Sequence, residues 1–168
     1  MEYFAHIERK RTQTMREHLY ATAELAGEFA GQFGKEEWGY CCGLLHDIGK
    51  YSEAFQDKIR NNSDRRVDHS TAGARVCEEK GGLYPFLEYC IAGHHAGLPD
   101  YGSSSDAGNA PTLSGRRKKK IEDYSAYKDE IQIPELKTVP FDPGKTSDPD
   151  YSLSVFIRML FSCLVDAD

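Results

Sequence analysis

At 168 residues the chain suits one domain around one core, and 39% hydrophobic residues with 11% aromatics are enough to fold it. No apolar run approaches the ~20 residues of a membrane span, and the N-terminus lacks the basic and apolar regions of a signal peptide, so a cytoplasmic protein is expected. A net charge of −6 excludes a protein that holds nucleic acid by broad electrostatics alone. It does not exclude a nuclease, because bound divalent ions invert the local field.

The periodicity predicts a mostly helical fold. From about Gln13 to Phe33, residues Leu19, Ala23, Ala26, Phe29, Ala30 and Phe33 keep helical spacing, Leu25 alone falls out of phase, and Gly34 closes the run. A second helix is expected from about Lys35 to Asp47, interrupted by Gly49. A short third runs from Ser52 to Arg60, before the loop Asn61-Asn62-Ser63-Asp64. His69 to Lys80 reads as a fourth, stopped by Gly81-Gly82, and Pro85 suits the first turn of a fifth that reaches His94. Residues 100–150 differ: a polar Gly/Ser loop, the five basic residues Arg116 to Lys120, then Pro134, Pro140, Pro143 and Pro149. This is read as a long irregular insertion with one short helix near Ile121 to Glu130, and as the segment most prone to disorder. Tyr151 to Asp168 is again helical, with Leu153, Phe156, Ile157, Leu160, Phe161 and Leu164 on its apolar face. It stops without a cap or glycine, which reads as the edge of a piece of a longer protein. The five cysteines (Cys41, Cys42, Cys77, Cys90, Cys163) form no C-x-x-C pair and read as reduced core thiols.

The chemistry-bearing residues sit at or near the ends of these helices. His18 opens the first. Taken alone it is more often a core or surface histidine than a ligand. His46-Asp47 follows the apolar Leu44-Leu45, so Asp47 starts near the core, where an unpaired carboxylate is costly. Either a metal or an ion pair with Lys50 would remove that cost. His69 follows Asp68, a natural N-cap, and the small Ala72, Gly73 and Ala74 allow close approach of another helix. His94-His95 ends an apolar helix, where the dipole alone would favour one histidine, although two in succession make that reading less attractive. In the last helix, ~100° per residue puts Asp168 on the apolar side and Asp166 opposite with Ser162. Asp168 is therefore the better ligand candidate. Nitrogen and carboxylate donors suit Mn, Fe, Co or Ni, with Mg or Zn as alternatives, rather than Ca. So many donors fit two ions bridged by Asp47, a spacing of about 3.5–4 Å in two-metal sites.

The order His18…His46-Asp47…His69…His94-His95…Asp168 resembles the HD metal-dependent phosphohydrolase superfamily. The local sequences Tyr3-Phe4-Ala5-His6, Glu17-His18-Leu19, Leu45-His46-Asp47-Ile48-Gly49-Lys50, His69-Ser70-Thr71-Ala72-Gly73-Ala74, His94-His95-Ala96-Gly97-Leu98-Pro99-Asp100 and Leu164-Val165-Asp166-Ala167-Asp168 are similar to one group within it. That group is the HD nuclease domain of the CRISPR-associated helicase-nuclease of type I systems. The resemblance spans the chain outside the 100–150 insertion and implies an all-α HD-domain helical bundle. It also implies a nuclease that nicks single-stranded DNA and then degrades it. One metal would take His18, His46, Asp47 and Asp168. The other would take Asp47, His69, His94 and His95, with Lys50 on the scissile phosphate. The implied partners are a superfamily 2 helicase that feeds the strand, the Cascade complex with its guide RNA, and inhibitor proteins. No Walker A pattern is present, so residues 1–168 are expected to be a single HD nuclease domain, the N-terminal part of a longer helicase-nuclease. Arg116, Arg117, Lys118, Lys119 and Lys120 could guide the strand, although a solvated loop is the favoured reading of such a run. Two other functions stay open: a phosphohydrolase acting on nucleotides or cyclic dinucleotides, and a metal-stabilised docking module without catalysis.

Overall fold

The computed structural model describes residues 2–8 and 11–168. The chain opens with an antiparallel hairpin, β1 (Phe4–Glu8) and β2 (Arg11–Thr14), with Phe4 opposite Thr14 and His6 opposite Gln13. The mostly helical fold is as expected, and only the start of the first helix is corrected here: Gln13 belongs to a strand. Helix α1 (Met15–Gly31) begins two residues later than expected because Thr14 caps it. The Thr14 hydroxyl accepts from the Glu17 backbone N–H, and the Glu17 carboxylate accepts from the Thr14 N–H. This T-x-x-E box is legible in the sequence and fixes the boundary.

Next come α2 (Glu36–Leu45), a 3-10 turn at Ile48–Tyr51, α3 (Glu53–Arg60) and α4 (Ser70–Lys80). Pro85 lies in a 3-10 turn, Tyr84–Leu87, so that α5 is short (Glu88–Gly93). Helix α7 (Pro149–Ala167) completes the bundle, packing on α1, α2 and α5. The architecture is the helical domain expected, with the hairpin added. The core is continuous: Leu19 and Ala23 of α1, Trp38, Leu44 and Leu45 of α2, Ile91 of α5, and Leu160 and Leu164 of α7 are all fully buried. No helix among the described residues is long and apolar enough to cross a membrane.

The insertion departs most from expectation. Its helix, α6 (Leu113–Lys118), lies over the basic run, whereas Ile121 to Glu130 holds only a 3-10 turn at Ser125–Asp129. Nor is the segment loose. Leu113, Tyr127, Ile131 and Leu136 are buried in the common core. Arg117 forks onto Glu88 of α5 through Nε (2.9 Å) and Nη2 (3.0 Å). These anchors are too widely spaced to show periodicity, so pattern reading finds only polar residues and prolines between them.

Candidate metal centre

Each donor is delivered by the packing of its own element. On α1, Met15, His18, Leu19 and Thr22 share the buried face at helical spacing, so His18 is carried into the interior. His46 and Asp47 follow the last turn of α2 directly, with Asp47 leaving helical geometry at φ −115°, ψ 13°. The next residues fold back onto α4. A Cβ on Gly49 would stand 2.2 Å from the His69 carbonyl oxygen, and one on Gly73 would stand 2.1 Å from that of Leu45. Only glycine permits these two backbone contacts, which press the start of α4 against the end of α2. His69 sits at the N-cap position of α4, and His94 at the C-cap of α5. Asp168 follows α7, its side chain 20% exposed, whereas Asp166 is exposed on the outer face.

Asp47 organises the cluster. Its Oδ2 lies 3.0 Å from His18 Nε2 and 3.3 Å from His46 Nε2. Asp168 Oδ1 completes that group, 3.0 Å from His46 Nε2 and 3.4 Å from His18 Nε2. The other oxygen, Oδ1, faces His69 Nε2 at 3.3 Å and His94 Nε2 at 3.4 Å. His95 Nε2 is 2.8 Å from His69 Nε2. Two four-donor groups therefore share one carboxylate: His18, His46, Asp47 and Asp168, and Asp47, His69, His94 and His95. These are the two sets that the resemblance implies.

The donor chemistry fits cations. The Nδ1 atoms of His46 and His94 lie 2.6 Å and 2.7 Å from the carbonyl oxygens of Gly43 and Ile91. A carbonyl only accepts, so each Nδ1 carries the proton and Nε2 turns its lone pair inward, the arrangement common among metal-binding histidines. Asp47 Oδ1 and His94 Nε2 are buried and make no hydrogen bond. Such atoms cost ~1–3 kcal/mol each when left without a partner, and a shared cation would satisfy both.

Burial opposes ionisation of Asp47, but His46, His18 and His94 outweigh it and hold the carboxyl well below the usual range. Burial also pushes His46 down, yet the Asp47 and Asp168 carboxylates prevail and raise it to about 10. His69 is lowered to about 4, chiefly by burial, and so is neutral at pH 7. Without a metal, a proton on His46 takes the place of the cation.

Lys50 stands at the centre, its Nζ 2.6 Å from Asp47 Oδ2 and 5.5 Å from the Phe55 ring centroid. The ion pair open to Lys50 in the sequence is thus formed. His6, to which the sequence reading gave no role, lies on β1 with its ring centroid 5.3 Å from that of His18. Strand alternation would have been the signal, but no strand was expected there. The basic run does not form a solvated loop. Arg117 is committed to Glu88, and Lys118 Nζ donates to the carbonyls of Ser104 and Asp106. Arg116 and Lys119 instead reach the start of α4, at Ser70 and Asp68.

Against known proteins, residues 15–138 match the family described as HD domain. No curated protein matches the chain.

Proposed function

The chain belongs to the HD domain family, whose members are metal-dependent hydrolases, and from that premise we propose that it is a two-metal nuclease for single-stranded DNA acting in CRISPR interference. The observation that carries the two-metal part is Asp47, buried, with one oxygen toward each histidine group. The choice of DNA and of the CRISPR setting is supported by the order and local sequence of the motifs from His18 to Asp168. On this reading a superfamily 2 helicase supplies the strand, the Cascade complex with guide RNA recruits the enzyme, and inhibitor proteins act on it.

Two divalent ions of Mn, Fe, Co or Ni type, when bound, supply an activated water and neutralise charge on a phosphodiester. The protein's own groups do the rest. Carbonyls of Gly43 and Ile91 lock the His46 and His94 tautomers. The Asp47 carboxylate, kept ionised by its surroundings, bridges the two groups. Lys50, 6% exposed, holds its ammonium where a scissile phosphate would arrive, and its pairing with Asp47 keeps it there until substrate competes for it.

The test pairs metal analysis of purified protein with cleavage of circular single-stranded DNA, which has no ends and so reports endonuclease action. Cutting that needs Mn or Co and vanishes in Asp47→Ala is the expected result. Full activity in Asp47→Ala would remove the metal mechanism. Hydrolysis of nucleotides or cyclic dinucleotides with no action on DNA would remove the nuclease.

A further inference from the structure

A cleft of 620 Å³ opens beside the centre and shares His69 with it. Two segments wall it: residues 65–70, leading into α4, and, from α6 onward, Arg116 with residues 119–122. Its charge is opposite to that of the whole chain. Arg65, Arg66, Arg116, Lys119 and Lys120 line it against the two carboxylates of Asp68 and Glu122. Asp68 is occupied by Lys119 at 2.5 Å, and Glu122 only touches Arg65, at 3.5 Å between exposed groups. Among the described residues, no carboxylate pairs with Arg66, Arg116 or Lys120.

Arg116 is the informative member. Its Nη1 donates to the hydroxyls of Ser70 (3.0 Å) and Thr71 (3.3 Å), which fixes the guanidinium at the lip of α4. Its Nε–H is buried and has no acceptor. A held guanidinium with a spare donor is suited to phosphate oxygens, and the positive end of the α4 dipole adds to the field. No Phe, Tyr or Trp lines the cleft, so it offers bases no stacking platform. Its volume lies in the range of about 300–1,000 Å³ typical of ligand sites, well beyond what one phosphate needs.

The geometry points to this cleft as a subsite for the backbone phosphates of a single strand, those that run on from the scissile phosphate past His69, with Arg66, Arg116 and Lys120 as the contacts. This rests on the nuclease reading above. It assigns the strand one side of the centre and a contact mode blind to base sequence.

The experiment measures binding of labelled single-stranded oligonucleotides by fluorescence anisotropy, with chelator present so that nothing is cut, across a salt series. The exposed pair Arg66→Gln/Lys120→Gln avoids the packed Arg116, and melting curves report whether each variant folds. The pair should weaken binding about tenfold, equally for oligo-dT and mixed sequence, as loss of phosphate contacts does. The slope of log K against log salt should become shallower by roughly 0.7 for each charge removed. Loss of the exposed Lys145 by Lys145→Gln should change neither affinity nor slope. Unchanged affinity and slope in the folded pair, while wild type binds and cuts the strand, would overturn the subsite and leave the nuclease reading standing. A wild type that neither binds nor cuts single strands would overturn both. Loss of activity on nucleotide triphosphates with strand binding intact would reassign the cleft to free nucleotides and overturn the strand.

Discussion

Asp47 Oδ1 and His94 Nε2 lie buried 3.4 Å apart without a hydrogen-bond partner, an arrangement that a shared cation would satisfy. Asp47→Ala should abolish tight binding at both groups at once, because each loses its shared oxygen. Isothermal titration with Mn checks this, and one surviving strong site would argue against a bridge. His46 adds a pH signature. Its pKa is raised from 6.5 to about 10, so the stability it lends to metal-free protein is whole below pH 6.5 and is lost as pH rises through about 10. Metal must displace that proton. Titration at pH 7 in buffers of different ionisation enthalpy should therefore show proton release on binding, and none should be seen if His46 is neutral.

At the scale of elements, the site depends on how closely α4 meets the end of α2. The methyl of Gly73→Ala would meet the Leu45 backbone oxygen, which no side-chain rotation relieves. Such overpacking typically costs ~1–3 kcal/mol. Urea unfolding should show that loss, with weaker metal binding at the His69 group. The insertion is held by a different device. Glu88 is fully buried, and its pKa is pushed up to about 6 by burial despite Arg117. A raised carboxyl contributes stability that is whole below about pH 4.5 and is lost as pH rises through about 6. Arg117→Ala leaves Glu88 buried without its cation, so the variant should be destabilised more at pH 7 than at pH 5. A pH-independent difference in urea midpoints would deny Glu88 that role. The anchoring of this insertion was illegible in the sequence because its partners are 29 residues apart along the chain. The helices were legible because each carries its apolar stripe locally.

On the scale of the whole molecule, the candidate donors come from α1, from the N-cap of α4 and from the residues that follow α2, α5 and α7, so bound metal would tie five helices together. Ligation of the native state alone should raise the melting temperature by mass action, about 2.7 kcal/mol of added stability at 100 times Kd. Differential scanning with Mn, then with chelator, should show a reversible rise that Asp47→Ala lacks. The charge pattern is also a whole-molecule property. A chain of net charge −6 concentrates uncompensated cations in one cleft beside the centre, and that local reversal is invisible to composition.

By itself the sequence determined the mostly helical character of the chain outside the insertion, the candidate donors and the preference for Asp168 over Asp166 as a candidate. All of these follow from residue type and from a periodicity that spans a few residues. The pairing of Phe4–Glu8 with Arg11–Thr14 lay beyond that reach, since strand pairing is set by a partner rather than by the strand. Only the tertiary structure decided that Asp47 turns one oxygen to each group, that Lys50 pairs with it, and that the basic run divides between anchoring the insertion and lining the cleft. Those outcomes depend on ångström-scale contacts between segments far apart in the chain, and they arise when glycines let backbones touch and buried charges find partners.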